Sequence, residues 1–419
     1  MAYDFLMSER TKMYQQKARE AIKAVDPQYI RDMDQEKVKY PAELIRHLAK
    51  HGLICTQIPK EYGGQGLTWE DDIIIQEEIG TLGYIAVCAT EVTGCLVPHC
   101  IYKFGTEEQK QKYLPRLAKA EIFGAECLTE PRGGSNLFGA TTTAVREGNG
   151  WRLNGQKRFI VGGDVADIML VYACTNPEAG PKKRLTVFIV EREMGVKTEY
   201  LYNLMGCHGG GTARVVFDNI WVPDSAVLGE VNGAYDVYEE MMIPERFGTA
   251  AMTIGAVRPA LEVATDYTAK RKAFGQVINR YQAVSFKVAN AAMMLDVCRS
   301  YIYTTAQAVQ HADELDGQYV RRLCSQAKKF VTETAKKIAD DCMQVMGGIA
   351  YTDVYPVEKI VRDLGLATIW TGSNEVMSLI CQKQWYNERK AVLAAELTRN
   401  CEKDCVSAIE GAEEKDYGD

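Results

Sequence analysis

The hydrophobic pattern of this chain changes period twice, and that double change restricts the folds open to it more than any other feature. From the N-terminus to about residue 124 the apolar residues recur at helical spacing. Between about 125 and 231 Val, Ile, Thr and Phe become frequent, and turn residues recur every few positions. From about 232 to 390 helical spacing returns in long runs. The pattern predicts an α+β fold: an N-terminal all-α domain (1–124), a middle β domain (125–231) and a C-terminal helical bundle domain (232–390). The stretch 391–419 ends in EGAEEKDYGD, lacks an apolar period, and reads as a loosely ordered acidic extension.

Local signals fill in the three units. Tyr40-Pro41-Ala42-Glu43 puts Pro at a helix start, and Leu44, Leu48 and Leu53 carry the apolar face. Ile58 to Gly66 is a loop by its Gly and Pro content. Ile73–Leu82 and Cys88–Phe104 are predicted helices, and Thr106 with Gln109 has capping-box spacing before the next. Glu91 and His99 lie in the second of these helices; Glu91 reads as a solvated or first-turn acid. In the middle unit, Trp151-Arg152-Leu153 followed by Asn154-Gly155 predicts a hairpin turn there. Arg184–Val190 and Ala213–Phe217 are predicted strands. In the third unit Val237–Ile243 and Ala250–Lys270 are predicted helices, with Pro244 opening a turn before Glu245.

Composition excludes several function classes. The 419 residues are 47% hydrophobic and 25% charged, ordinary for a globular protein of two or three packed units. A net charge of −7 argues against a nucleic-acid surface and supplies no basic anchor for anionic lipid. No uninterrupted apolar run reads as long enough to span a bilayer, and the N-terminus resembles neither a signal nor a transit peptide. A cytoplasmic location is the resulting expectation. The 13 cysteines are spread along the chain without metal-site spacing, so they read as reduced thiols and no metal is expected. Cys401 and Cys405, four apart, are weak evidence for anything else.

The densest punctuation lies between Cys342 and Met377. Gly347-Gly348 follows a helical segment, where glycine allows positive φ and close approach of another group. Thr371-Gly372-Ser373-Asn374 breaks the next helical run and leaves free N–H groups at a helix start. Gln344-Val345-Met346-Gly347-Gly348, Tyr355-Pro356-Val357-Glu358-Lys359, Arg362-Asp363 and Gly372-Ser373 resemble the C-terminal signature of the acyl-CoA dehydrogenase family. Three further motifs fall in that family's order: Ile58 to Gly66, Thr129-Glu130-Pro131-Arg132-Gly133-Gly134-Ser135-Asn136, and Arg271-Lys272-Ala273-Phe274-Gly275.

The resemblance covers about residues 5 to 390. It implies the family's fold, with a middle β-barrel or sandwich domain and a C-terminal four-helix bundle, and a non-covalent FAD. It places Leu128, Thr129, Phe159, Val161, Arg271, Phe274, Gln282, Gln344, Gly347, Gly348, Ser373 and Glu375 at the cofactor, and Ser135, Arg246, Thr371, Gly372 and Glu91 at the substrate. It implies a homotetramer in which Arg271 and Gln344 complete a neighbour's FAD site, and electron transfer to an electron-transferring flavoprotein. The family prefers Trp at Phe159 and Thr or Ser at Val161.

The largest departure is Thr371, where most short- and medium-chain members carry the catalytic Glu. A Thr hydroxyl cannot take a proton from carbon near neutral pH. Members without that Glu use an acid just before the Arg of the C-domain helix, and Glu245-Arg246 matches that pair. The expected activity is α,β-dehydrogenation of an acyl-CoA thioester that is branched, aromatic or polar-ended, with Glu245 as base. Reduction of an enoyl-CoA by the same fold, and a non-catalytic flavoprotein or CoA-binding module, are the competing readings.

Overall fold

The computed structural model describes residues 7–312 and 314–399. The N-terminal unit is seven helices: α1 (Glu9–Lys23), α2 (Pro27–Asp34), α3 (Ala42–Lys50), α4 (Trp69–Gly80), α5 (Tyr84–Glu91), α6 (Val97–Phe104) and α7 (Glu107–Ala118). Thr68 and Asp71 form a capping box on α4, and Thr106 with Gln109 forms one on α7 as the spacing predicts. One π-helical turn, Val92–Leu96, joins α5 to α6. There Gly94 packs so tightly on Ile54 that a Cβ would lie 2.7 Å from the Ile54 Cβ.

Among the described residues the run Tyr84–Phe104, though interrupted by Glu91 and Lys103, is the one candidate for a membrane span. By length and composition it passes, but 89% of its apolar window is buried inside the protein. It is a core helix, and packing accounts for its hydrophobicity.

The middle unit is a mixed sheet of β1 (Gly124–Cys127), β2 (Thr143–Glu147), β3 (Gly150–Ile160), β4 (Ile168–Cys174), β5 (Leu185–Glu191), β6 (Lys197–Leu201), β7 (Ala213–Pro223) and β8 (Val227–Leu228). The order is β6-β7-β3-β2-β4-β5-β8, with β1 parallel to β4. Asn154-Gly155 is not the expected hairpin turn. β3 runs through it with a shift of register against β7, because Gly155 at φ +149° lets the strand bulge closely over Thr142. The turn falls between Glu147 and Gly150, with Gly148 at φ +61°.

The C-terminal unit is α8 (Ala234–Lys270), the short hairpin β9 (Lys272–Ala273) and β10 (Gln276–Val277), then α9 (Gln282–Gln310), α10 (Gly317–Met346), α11 (Val357–Ala367) and α12 (Asn374–Ala394). Helices α8, α9, α10 and α12 make the bundle, and α12 continues four residues past 390. The acidic tail expected beyond it falls mainly on 400–419, outside the described residues, as do Cys401 and Cys405. Pro244 does not open a turn: α8 passes through it unbroken. The helix is buried along most of its length, and packing on several neighbours outweighs one lost backbone bond.

α4 crosses α8 at Gly80 and Gly255, where the backbones nearly touch. A Cβ on Gly255 would lie 2.0 Å from the Glu77 carbonyl oxygen. The buried acids of α4 are matched by cations from the bundle: Arg258 to Glu77 at 2.9 Å and to Glu78 at 2.6 Å, Arg299 to Glu77 at 3.1 Å. Gly255→Ala must push these helices apart. It is expected to cost about 1–3 kcal/mol or more of stability, measured as a lower urea midpoint.

Three apolar clusters result, one in the helices, one where β4 and β5 meet α6 and α7, and one inside the sheet. Every cysteine among the described residues is free, and all but Cys95 and Cys381 lie in these clusters. Among the described residues no group of His, Cys, Asp and Glu is arranged to hold a metal ion.

Candidate active site

Glu245 and Arg246 lie about three turns into α8. The Glu245 Oε2 is buried without a hydrogen-bond partner. Burial pushes its carboxyl up to about 7, against the opposing charges of Arg246 and Lys328. Arg246 is 1% exposed, and its Nε, Nη1 and Nη2 are all buried and unpartnered. A buried guanidinium with three idle donors is costly unless something occupies the space before it.

The break before α12 faces this pair. Thr371 sits at φ +57° and Gly372 at φ +82°. The Thr371 Oγ1 is buried and unpartnered, and a Cβ on Gly372 would lie 3.9 Å from Arg246 Nη2. Lys328 of α10 donates its Nζ to the Gly372 carbonyl and to Asn374 Oδ1, both at 2.9 Å, which fixes the break. Burial, then the charge of Arg246, lowers Lys328 to about 7. Ser373 caps α12 by accepting from the Val376 N–H, and Glu375 is exposed in its first turn. Trp370 donates its indole N–H to Tyr84 at 3.0 Å.

The sheet supplies the opposite wall. Leu128 and Thr129 follow β1, and the Thr129 carbonyl accepts from the Arg158 N–H at 2.9 Å. Lys157 and Glu130 form a buried ion pair at 2.8 Å, exposed 0% and 2%, and Lys157 also donates to the Leu128 carbonyl at 3.1 Å. Glu130 accepts the backbone N–H groups of Thr141 and Thr142. This knot holds the 128–130 loop on β3. Phe159 stands at φ +60° and is 49% exposed, its ring 4.7 Å from Tyr202. Val161 and Trp370 are half-buried on the same helical core.

Glu91 is buried, not solvated, because α5, which it ends, is buried on every side. Burial, then the charges of Glu245 and Asp72, raises it far above the usual range. The structure thus joins Glu245, Arg246, Thr371, Gly372 and Glu91. Ser135 is exposed on its loop. Arg271, Phe274, Gln282, Gln344, Gly347 and Gly348 are exposed on the bundle surface, Phe274 94% so. Nothing described within this chain brings them to the Glu245 group.

Four residues were given no role from the sequence. Glu126 on β1 carries a buried unpartnered Oε1, and burial, then the charge of Glu245, raises it far above the usual range. A lone acid between Ala125 and Cys127 in a buried strand was its only signal. Lys328 lies on the apolar face of α10 with Cys324 and Val331, an anomalous place for a lysine. The Lys157–Glu130 pair joins two separate motifs and left no local sign.

Family models for the acyl-CoA dehydrogenase N-terminal, middle and C-terminal domains match residues 8–121, 125–220 and 233–386. The chain belongs to the acyl-CoA dehydrogenase family. It is an oxidoreductase acting on CH–CH bonds. An acyl-CoA dehydrogenase of Bacillus subtilis (strain 168) is 34% identical over 348 residues, 82% of this chain and 90% of that protein. A subunit of the caffeyl-CoA reductase-Etf complex of Acetobacterium woodii is 30% identical over 377 residues, 89% and 97% of the two chains. The structure of an acyl-CoA dehydrogenase complexed with FAD from Bacillus anthracis superposes with a TM-score of 0.84 at 28% identity. It covers 92% of this chain and 68% of that one.

Proposed function

We propose that the protein is an FAD-dependent acyl-CoA dehydrogenase in which Glu245 takes the α-proton of a branched, aromatic or polar-ended acyl-CoA. The carrying observation is the buried, unpartnered Glu245 carboxyl, raised to about 7, where Thr371 offers only a hydroxyl. A carbon acid needs a base whose proton affinity is matched to the working pH.

The residues present fit FAD. Lys157 Nζ and the Arg158 N–H tie Leu128 and Thr129 to β3, which ends beside Phe159 and Val161, and the bundle carries the unpartnered Thr371 Oγ1 and Arg246 donors. Bound there, FAD supplies the hydride acceptor. Arg246 and the backbone at the Gly372 break hold the thioester carbonyl as negative charge develops on it. The exposed Arg271, Phe274, Gln282, Gln344 and the Gly347-Gly348 pair serve the FAD of a second copy, in keeping with a homotetramer built from such pairs. Arg271 has the planar fork of donors suited to a pyrophosphate. The electron partner is an electron-transferring flavoprotein, a reading supported by the relative from a reductase-Etf complex.

That relative also supports a second reading, reduction of an enoyl-CoA at the same site, with Glu245 returning the proton. The pH profile tests Glu245 as the proton carrier in either direction. In the oxidative direction the carboxylate form is active, so kcat/KM is expected to rise through an apparent pKa near 7. In the reductive direction it falls through the same point. An anaerobic screen of CoA thioesters for loss of flavin colour tests the whole assignment. Straight butyryl- to octanoyl-CoA outperforming every branched, aromatic and polar-ended ester would refute the substrate class.

A further inference from the structure

Lys328 is wholly buried on α10, and both of its hydrogen-bond acceptors are uncharged: the Gly372 carbonyl and Asn374 Oδ1, each at 2.9 Å. The acid nearest to it along α10, Glu333, pairs with Lys329 instead. A buried ammonium is ordinarily matched by a carboxylate, because neutral acceptors offset only part of its lost hydration. Here a second cation stands close by. Arg246 is as deeply buried, and its Nη2 lies 3.9 Å from the place a Gly372 Cβ would take. Gly372 is thus held between two buried cations, Lys328 on its carbonyl and Arg246 on its Cα side. Packing alone would favour Leu or Met at position 328, between the buried Cys324 and Val331.

Asn374 completes the hold. It is 3% exposed, and its amide donates to Thr332 Oγ1 at 3.1 Å, one turn along α10 from Lys328. Its backbone N–H reaches back to the Thr368 carbonyl at 3.1 Å. The break is therefore pinned from the α10 side at Gly372 and at Asn374. Among the described residues no backbone hydrogen bond uses the N–H of Thr371, Gly372 or Ser373. Those donors stay free in a segment whose position is tightly fixed.

We propose that Lys328 is a positioning residue for the reaction: it holds the Gly372 carbonyl so that the break keeps its distance from Arg246, and it sets a positive charge behind the break where the thioester oxygen gains negative charge. This rests on the acyl-CoA assignment above. Lys328 acts through one peptide unit rather than by touching substrate. A carbonyl that accepts from an ammonium polarises its peptide, and the N–H on the far side of that trans unit, which is Ser373's, becomes a stronger donor. The charged groups around Lys328 are Arg246 and Glu245 on α8, Glu333 on its own helix and Glu375 on α12. Arg246 and Lys328 together oppose the rise that burial gives the Glu245 carboxyl. Without Lys328 only Arg246 opposes it.

Single-turnover flavin reduction of the FAD-loaded protein, by a CoA thioester that bleaches the wild type, tests this in Lys328→Met and Lys328→Gln. Gln keeps an N–H for the Gly372 carbonyl and removes the charge. Both variants are expected to reduce flavin about a hundredfold more slowly, the lower end of the cost of losing a charge-stabilising donor. In both, the rise of rate with pH should move to higher pH, because Glu245 loses a neighbouring positive charge. S-hexyl-CoA, an unreactive thioether without the carbonyl, should bind to within a few-fold of wild type by calorimetry, since the charge develops only in the transition state. Rates within a few-fold of wild type, or a pH profile that does not move, overturn the proposal and leave the acyl-CoA assignment standing. A loss of S-hexyl-CoA binding as large as the loss of rate also overturns it, by marking Lys328 as a prop of the fold alone. Lys328→Gln decides the matter where Lys328→Met fails to fold. A wild type that no CoA thioester bleaches overturns the acyl-CoA assignment and the role of Lys328 with it.

Discussion

Glu245→Gln is expected to leave the protein yellow and able to bind thioesters, while flavin reduction slows by about 10²–10⁴-fold, the usual cost of removing a general base. Gln keeps the shape and hydrogen-bonding reach of Glu on α8, so the change isolates proton transfer. Single-turnover reduction under anaerobic conditions, followed at the flavin band, is the measurement. A rate within a few-fold of wild type would move the base elsewhere, and Glu91 would be the next residue to substitute. A second-site version sharpens the test. Thr371 already holds a non-glycine residue at φ +57°, so the backbone there tolerates a side chain. Glu245→Gly combined with Thr371→Glu should recover part of the lost rate, because both positions border Arg246 and the same α-carbon.

Lys157→Met is expected to lower the free energy of unfolding by about 3–5 kcal/mol, the cost of leaving one partner of a buried pair uncompensated. Both side chains are almost wholly excluded from water. Burial alone would raise Glu130, but the charge and hydrogen bond of Lys157, joined by Thr141, bring it down to about 2. Burial outweighs the pull of Glu130 on Lys157, whose ammonium is held below its ordinary value. The pair therefore adds little over an apolar replacement, and Lys157→Met with Glu130→Gln should cost less than Lys157→Met alone. The sign of the pH effect follows from Glu130. Its depressed value contributes stability that is fully present above its unfolded value near 4.5 and is lost as pH falls towards about 2. Urea midpoints should fall over that window in the wild type and flatten in Lys157→Met. FAD affinity should drop as well, since the Leu128 carbonyl loses its anchor.

The fold was legible because its signals are local and repeated. Capping at Thr106, the strand-rich runs of β5 and β7 and the helical spacing of the third unit each need only a window of neighbours. Pro244 and Asn154-Gly155 misled because local propensity there yields to packing: α8 is clamped on several sides, and Gly155 serves a bulge over Thr142. The site was legible where one motif holds it, as at Glu245-Arg246 and Thr371-Gly372. It was not legible where chemistry comes from separate elements. Glu126, Lys328 and the Glu130–Lys157 pair act through burial and distant partners, which no spacing encodes.

The distribution of thiols has a practical consequence. Cys88, Cys207, Cys298, Cys324 and Cys342 pack in the helical core, Cys55, Cys100 and Cys174 in the second cluster, and Cys127 inside the sheet. Burial raises Cys88, Cys207, Cys100 and Cys127 above the ordinary thiol value, so none is reactive in place. An alkylating reagent must wait for the surrounding layer to open. The rate at which each sulfur is captured then measures the opening of its own layer, and the chain carries a built-in gauge of which part of the molecule loosens first.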